Sequence, residues 1–282
     1  MTPRPAHLSR ALWRALEPIH AVTYFSSESS EAFTAAGLRG FWMGYFAGRA
    51  APMGEVGPAP VEATFFNFHP DMVRRAIPDA WSYASPAALL DVRAVASAMT
   101  LRRLVPDIDE VAPELLPLLR RAIDEAASPG RPLFAANREV AAPADPVAAL
   151  WQSTTTLREH RGDGHVSVLA AEGLDGCEVH VLFAMVHDVP RELYQRSRGW
   201  SDSDWSAAEE RLRARGAGRE LHDRIEARTD ELAIAPYASL SDEERLQVLT
   251  AAGRIAAAIT ESGLYPYPNP IGLPAPATEQ GR

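Results

Sequence analysis

The sequence predicts an all-α fold, or one that is nearly so. In most segments apolar residues recur three and four positions apart, as they do along one face of a helix. Residues that cap helices, and prolines suited to the first helical turn, stand where several of these segments begin, most clearly at Ser85-Pro86. No segment alternates apolar and polar residues over the length of a strand, so strands are not expected.

Five helices are predicted before the C-terminal part of the chain. Each begins near a serine or an acidic residue, which suits the unpaired amides of a helix N-terminus. In order, the segments are RALWRALEPIHAV after Ser9, ESSEAFTAAG after Ser27 with Gly37 as its stop, AALLDVRAVASAMTLRRLV after Ser85-Pro86, DIDEVAPELLPLLRRAIDEAA, and DPVAALWQSTTTLREHR.

Proline-rich stretches divide the chain into two helical halves. Residues 1–130 are expected to form a helical domain, residues 131–146 a linker, and residues 147–262 a second helical domain. Residues 263–282 contain YPYPNPIGLP, in which the prolines are too dense for a helix, so this tail is expected to run extended. A chain of 282 residues is long enough for two compact domains or one large one.

Residue counts exclude several kinds of chemistry. All 28 basic residues are arginine, which removes the lysine of a P-loop, of a kinase and of a pyridoxal-phosphate enzyme. Cys177 is the only cysteine, so neither an internal disulfide nor a thiolate zinc cage can form, and its helical spacing with Leu174 and Val181 favours a packing role. No apolar run approaches the roughly 20 residues that span a bilayer, so we expect a soluble, cytoplasmic protein that does not engage a membrane.

A first candidate site begins with a glycine stripe in GLRGFWMGYFAGRA. Gly40, Gly44 and Gly48 recur every four residues, so one side of this helix carries no side chains. Another surface must therefore approach the backbone closely. A tightly packed helix is the plainer interpretation, and a flat ligand along the stripe is the alternative.

Aromatic and polar residues beside the stripe favour a small-molecule pocket. Trp42, Tyr45 and Arg49 share a neighbouring face of the helix, and Asn67 and His69 follow in FFNFHP. Aromatic walls with a few converging polar groups are typical of ligand pockets. The phenylalanines of FFNFHP need no ligand and are expected mainly in the core.

A second candidate site is the motif HRGDGH. Gly162 and Gly164 are expected to break the preceding helix, and Asp163 is expected to cap the next one by accepting hydrogen bonds from its amides. A polar turn of this kind explains the two glycines and the carboxylate. It does not require the two histidines or the arginine.

Those remaining residues carry chemistry of their own. His160 and His165 could act with Asp163 as acid or base, and Arg161 could hold an anionic group. Their spacing matches no standard metal-binding pair, so no metal site is predicted, and nothing in the sequence identifies a cofactor. We expect one pocket between the halves that includes Arg49. Its predicted residues are Trp42, Tyr45, Arg49, Asn67, His69, His160, Arg161 and His165, with His69, His160, Asp163 and His165 as candidate catalytic groups.

The C-terminal half has the helix order of a winged-helix domain. Helices are predicted in GCEVHVLFAMV after Asp175, in RELYQRSRG after Pro190 and in DSDWSAAEERLRARG after Ser201, followed by two longer ones. This order resembles the MarR-type DNA-binding domain over about residues 165–262. With NFHP, HRGDGH, RGWSDSDW and YPNPIGLP, the whole chain resembles an actinobacterial, MarR-like winged-helix family, and this resemblance implies a fold but no activity.

Two features depart from the MarR-type pattern. Only GAG separates Arg215 from Arg219, where a two-stranded wing should lie, so the wing is expected to be reduced or missing. The third helix of the domain begins with Asp202 and Asp204, whose carboxylates would face DNA phosphates, and the formal net charge of −9 adds no attraction. DNA binding is therefore disfavoured, and only the fold analogy supports it.

Three functions remain open from the sequence. The first is the binding of a small molecule or cofactor between the halves on a repurposed winged-helix scaffold, with or without enzymatic activity. The second is a ligand-responsive, MarR-like transcription regulator. The third is a helical interaction module in which YPYPNPIGLP wraps a partner or a second copy of the chain, which would give a homodimer.

Overall fold

A computed structural model describes residues 5–273, and these form fourteen α-helices with three short 3-10 helices. No strand occurs within 5–273, which confirms the all-α prediction. None of these helices is both long enough and apolar enough to span a membrane. The α-helices are α1 Pro5–Phe25, α2 Ser27–Ala35, α3 Gly40–Ala50, α4 Pro58–Phe65, α5 Pro70–Arg74, α6 Pro86–Leu104, α7 Ile108–Glu125, α8 Pro132–Arg138, α9 Pro146–Ala171, α10 Gly176–His187, α11 Arg191–Arg198, α12 Asp202–Ala214, α13 Arg219–Ala233 and α14 Asp242–Glu261; the 3-10 helices are Ala51–Met53, Asp79–Ser82 and Ala235–Ser239.

Three apolar clusters fill the interior. The largest joins α1, α6, α7, α9 and α14 around Leu12, Leu119 and Trp151. A second lies among α3 to α6 around Phe46, and a third joins the end of α9 to α10, α12 and α13 around Trp205. The largest cluster takes residues from both predicted halves of the chain, so the two halves share one core.

The segment predicted as a linker, 131–146, contains helix α8. Its proline lies in the first turn, where the missing amide costs no hydrogen bond, and Phe134 is fully buried in the largest cluster. Of the tail predicted to run extended, residues 263–273 contain no helix. Residues 274–282 lie outside the described part of the chain.

Helix α9 runs unbroken through HRGDGH, so the break predicted at Gly162 and Gly164 is wrong. Each interior glycine costs about 1 kcal/mol relative to alanine. Because α9 packs against α1, α6, α7, α8 and α13, its tertiary contacts outweigh that local cost. Gly164 also has a packing reason, since a Cβ there would lie 2.7 Å from Arg131 Nη1. Arg131 crosses α9 at this point and donates hydrogen bonds to carbonyl oxygens of α9 and α13.

Two predicted helix starts are displaced by a few residues. Helix α1 begins at Pro5, so Ser9 lies inside the helix and does not cap it. Ser26 caps α2 in place of Ser27, through a hydrogen bond that its side chain accepts from a backbone amide one turn later. The caps predicted at Ser85, Asp175 and Ser201 are confirmed.

The predicted three-helix unit, α10 to α12, is present in the C-terminal half. Helix α12 packs across α10, and Cys177 is buried in their shared cluster, which confirms its packing role. Residues 215–218 form a tight turn between α12 and α13. No strand is present at that turn, so the wing is missing there, as the sequence predicted.

Two of the three glycines in the stripe face a closely packed side chain. The ring of Phe33, from α2, lies directly on the backbone of α3. A Cβ at Gly44 would lie 3.2 Å from Phe33 Cβ, and a Cβ at Gly48 would lie 2.7 Å from Phe33 Cζ. Gly40 begins the helix at a φ of 76° with open space around it. Close approach is therefore confirmed for Gly44 and Gly48 and wrong for Gly40.

Alanine substitutions at two helical glycines should have opposite effects on stability. Gly48→Ala is expected to lower the free energy of unfolding by about 1–3 kcal/mol, because the Phe33 ring must move. Gly253→Ala in α14, where a Cβ meets nothing within 4 Å, is expected to raise it by roughly 0.5–1 kcal/mol. Urea unfolding followed by circular dichroism measures both changes. Equal stabilisation by the two alanines would contradict the close packing on α3.

Candidate functional site

A cavity of about 380 Å³ lies between α1, α2, α3, α6 and α9. Pockets of a few hundred Å³ suit drug-sized molecules. The lining is aromatic along its walls, and both its exposed and its buried parts carry polar groups. The aromatic lining residues are Tyr24, Phe25, Phe33, Phe41, Tyr45 and Trp151.

The mouth of the cavity is formed by exposed residues of α2 and the start of α3. Ser27, Ser30 and Thr34 place hydroxyl groups there, and Phe41 is half exposed. Further in, the bare backbone of the glycine stripe and the ring of Phe33 make up part of the wall. The entrance is therefore partly polar, while the walls behind it are largely apolar.

The buried end of the cavity contains an ion pair between α3 and α9. Arg49 donates from Nε to Glu159 Oε1 at 2.9 Å and from Nη2 to Glu159 Oε2 at 3.0 Å. Arg158 donates to the same Oε2 at 2.9 Å and lies 3.5 Å from Glu17. Burial opposes ionisation of Glu159, but the two guanidinium groups outweigh it and hold the pKa of this carboxyl well below its usual range. Removing one partner of such a buried pair typically costs about 3–5 kcal/mol.

His20 forms a second polar group at the buried end. Its Nδ1 lies 2.9 Å from Thr155 Oγ1, and its Nε2 lies 3.1 Å from the hydroxyl of Tyr24. Burial, helped by the nearby Arg158 guanidinium, holds the pKa of His20 well below 6.5. Burial also raises the pKa of Tyr24. Both groups are therefore neutral near pH 7 and form a hydrogen-bonded chain without charge.

Arg93, from α6, is the third polar group, and it is only 3 % exposed. It donates to Gly48 O at 2.9 Å, to Asn137 Oδ1 at 3.1 Å and to Gln152 Oε1 at 2.9 Å. Among residues 5–273 no carboxylate pairs with it, and its Nε has no hydrogen-bond partner. Burial lowers the pKa of Arg93 to about 10, so the guanidinium remains charged at neutral pH.

The pKa values of three polar groups in the lining lie away from neutral pH. A general acid or base works best with a pKa near the working pH. The pKa values of Glu159 and His20 lie well below that range, and the pKa of Tyr24 lies above it. Within the part of the chain that the structure describes, no group of three or more histidine, cysteine or carboxylate side chains is placed to hold a metal ion.

The structure brings only two of the sequence-predicted site residues into this cavity. Arg49 and Tyr45 line it, as expected for the face beside the glycine stripe. Trp42 instead packs in the second cluster, with its ring 6.0 Å from Phe46 and 5.9 Å from Phe68.

Asn67 and His69 join the N-terminal part of the chain to α10–α12. The Asn67 carbonyl accepts a hydrogen bond from Trp200 Nε1 at 3.1 Å and lies 3.2 Å from His180 Nε2. The His69 amide donates to Arg198 O at 2.8 Å, and its ring packs 5.1 Å from that of Trp200. The NFHP motif therefore connects the loop before α5 to the three-helix unit.

The side chains of HRGDGH point in different directions from α9. The ring of His160 packs against Phe134 at 4.9 Å, while Arg161 and His165 bond to a carboxylate and a hydroxyl of α13. Burial lowers the pKa of His160 to about 3 and that of His165 to about 4, so both are neutral near pH 7. Because α9 is continuous, these side chains diverge, and the single pocket predicted with Arg49 and His69 is not formed.

Asp163 caps a helix, although not the one predicted. Its Oδ2 accepts a hydrogen bond from the amide of Phe134 at 2.8 Å, near the N-terminus of α8. Burial raises the pKa of Asp163 to about 6. The predicted cap of a following helix is therefore wrong, because Asp163 lies inside the continuous α9 and bonds to the N-terminus of a helix that precedes it in the chain.

Sequence reasoning missed most of the buried polar end. His20 and Tyr24 are four residues apart on one helix, and this spacing was a usable signal. Arg93 and Glu159 resemble many other arginines and glutamates in amphipathic helices. Their importance appears only when α6 and α9 are placed beside α3.

Comparison with known proteins places the chain in a family. Residues 9–266 match the model of a helix-turn-helix family. That match covers most of the chain, including the three-helix unit α10–α12. No curated protein and no solved structure matches this chain. The likeness to MarR-type regulators in particular stays a prediction.

Buried neutral histidines should make the protein sensitive to mild acid. The folded-state pKa values of His20, His160, His165 and His180 all lie below 6.5, so the unfolded chain binds these protons more readily. The stability that these four neutral histidines contribute is fully present above pH 6.5 and is lost as the pH falls. At one pH unit below 6.5, each of them has lowered the free energy of unfolding by about 1.4 kcal/mol. Asp163, whose pKa is raised, has the opposite effect on the free energy of unfolding, because the folded protein binds its proton first as the pH falls from about 6 to 3.8. It therefore offsets a smaller part of the loss of stability.

The contribution of one histidine can be isolated by His20→Gln. Urea unfolding at several pH values between 7.5 and 5.5 gives the slope of the unfolding free energy against pH. The substitution should reduce the average slope over this range by about half a proton, or roughly 0.7 kcal/mol per pH unit, because an unfolded histidine with a pKa near 6.5 is on average half protonated there. An unchanged slope would show that His20 takes up its proton in the folded protein.

Proposed function

We propose that this chain, which belongs to a helix-turn-helix family, binds a small organic molecule in the cavity between α1, α2, α3, α6 and α9. The observation that carries the proposal is the combination of aromatic walls with polar groups at the buried end. Such pockets hold the body of a ligand by apolar contact and fix its orientation through a few polar groups. The proposal is limited to binding; burial holds the pKa of His20 low and raises that of Tyr24, and two guanidinium groups hold that of Glu159 low.

The lining is held in place by contacts that do not involve a ligand. Phe33 is seated against Gly44 and Gly48, and Arg49 is fixed by two hydrogen bonds to Glu159. A ligand that enters such a site orders few additional side chains. Since ordering side chains reduces affinity, a preformed site favours tight binding of a small molecule.

Blocking the mouth should abolish binding without disturbing the core. Ser30 is exposed on α2 and lines the mouth, whereas Glu31 is exposed on the same helix and does not line it. A library of aromatic fragments, screened by saturation-transfer NMR, should give binders whose affinity Ser30→Trp lowers by roughly tenfold or more, equivalent to about 1.4 kcal/mol. Glu31→Trp is the matched control and should leave binding intact. Binders unaffected by Ser30→Trp would place the binding elsewhere and contradict the proposal.

A ligand-responsive, MarR-like DNA-binding regulator is the second candidate function. Family membership favours it, and so does the course of α9. This helix carries Glu159 at the cavity and, two to three turns later, Val168 and Leu169 in the cluster that supports α10 and α12. One continuous element therefore connects the cavity with the helix-turn-helix unit.

The charges on α12 make this second candidate testable. Arg211 and Arg215 are held by carboxylates and carbonyl oxygens of neighbouring segments, which leaves Arg213 exposed on the same helix as Asp202. If α12 enters the major groove, Arg213→Ala should weaken binding to duplex DNA and Asp202→Asn should strengthen it. Fluorescence anisotropy at about 50 mM salt, where phosphate contacts are strongest, measures both effects. No binding under these conditions would exclude a DNA-binding role for the chain alone.

A further inference from the structure

The starting observation is a buried positive charge beside the cavity. Arg93 is 3 % exposed and lines the cavity, and all three of its hydrogen-bond acceptors are neutral oxygens. Its buried Nε finds no acceptor among residues 5–273. A buried ion without a counter-charge, and a buried donor without an acceptor, both cost free energy. An acceptor that carries a negative charge would remove both costs.

The other charges at this end of the cavity do not supply that counter-ion. Arg49 and Arg158 share the carboxylate of Glu159, and Arg158 also lies beside Glu17. With Arg93 included, three guanidinium groups face two carboxylates, so one positive charge remains. Tyr24 and His20 are neutral. Burial is the main cause of the low pKa of His20; of the nearby charges, three guanidinium groups lower it further and one carboxylate raises it.

We infer that the ligand of this cavity is an aromatic monocarboxylic acid, whose carboxylate accepts a hydrogen bond from Arg93 while its ring lies between the aromatic walls. This inference rests on the proposed function of small-molecule binding. One carboxylate brings the group of charges to neutrality, whereas a doubly charged phosphate would leave a negative excess. The apolar body follows from the six aromatic side chains of the lining.

Arg93 is held in one orientation by its hydrogen bonds. Its Nη1 donates to Gly48 O on α3, and its Nη2 donates to two amide oxygens of α8 and α9. These bonds fix the plane of the guanidinium and use three of its five N–H donors. The Nε–H and one N–H of Nη1 are then left for a ligand. A fixed donor loses little freedom on binding, which favours a specific contact.

Matched pairs of acids and amides test the charge of the ligand directly. The probes are benzoate and benzamide, 2-naphthoate and 2-naphthamide, and biphenyl-4-carboxylate and its amide, each titrated into the full chain by calorimetry at neutral pH. Members of a pair have nearly the same shape and differ by one negative charge. In at least one pair the acid should bind roughly tenfold or more tightly than the amide, and Ser30→Trp should abolish this binding.

Arg93→Gln should remove the preference for the acid, and Arg198→Gln is its matched control. Arg198 is 6 % exposed, and its Nε also finds no partner among the described residues, but it does not line the cavity. The control should therefore keep the preference. If Arg93→Gln does not fold, the ratio of acid to amide affinity in the unaltered chain alone decides whether the cavity prefers an acid.

The outcomes separate this inference from the proposed function. If an amide binds as tightly as its acid and Ser30→Trp blocks both, the inference of an acidic ligand is overturned, whereas the proposed binding in this cavity stands. If the acid preference survives Arg93→Gln, the role of Arg93 is overturned. If no acid, amide or other aromatic fragment binds, both the inference and the proposed function fail.

Discussion

The burial of helix α9 is the constraint on which the rest of the structure depends. This helix packs against α1, α6, α7, α8 and α13, and from Val147 to Leu157 every side chain is buried. Its polar residues must therefore find partners inside the protein, because a buried polar group without a hydrogen bond is costly. Gln152, Thr155 and Glu159 lie three and four positions apart, so they project from one side of α9. Their partners are Arg93 for Gln152, His20 for Thr155, and Arg49 for Glu159. The polar end of the cavity is thus the place where α9 satisfies its buried polar face.

A cavity beside such a face would normally be closed by packing, since protein interiors are dense and voids are destabilising. Here the walls are prevented from closing by groups that cannot move inward. The Phe33 ring rests on the backbone at Gly44 and Gly48, and Arg49 is held to Glu159 by two hydrogen bonds. The glycine stripe and the ion pair therefore act together. The glycine stripe provides the surface on which the aromatic ring of Phe33 packs, and the ion pair holds the side chains of the polar wall in place.

The sequence predicted the parts of this structure that depend on local pattern. Helix periodicity and capping gave the all-α fold, the order of α10 to α12 and the tight turn before α13. Spacing on one helix also found Tyr45 and Arg49. The break in α9 was wrong because two glycines cost less than the burial of a 26-residue helix contributes. The polar end could not be found in this way, because His20, Arg93 and Glu159 come from three helices that only the tertiary fold brings together. HRGDGH and NFHP were selected by residue type, and their side chains and carbonyls connect helices to one another.

Two physical connections lead from the cavity to the three-helix unit α10–α12, and they differ in stiffness. Helix α9 is held along its length by five other helices, so displacing it would disturb the whole core. The second connection passes from Tyr45, at the cavity wall, to Phe68 at 5.3 Å between ring centroids, and from there to the neighbouring Asn67 carbonyl, which bonds Trp200. This loop is fastened to α10–α12 by a few hydrogen bonds and ring contacts. A chain of contacts does not by itself couple two sites. A ligand shifts a conformational equilibrium only if it binds the two conformations with different affinity. Of the two connections, the NFHP loop is the one whose rearrangement breaks fewer contacts. Any response of α12 to a ligand is therefore expected to begin with a movement of Tyr45 against Phe68, while α9 stays in place.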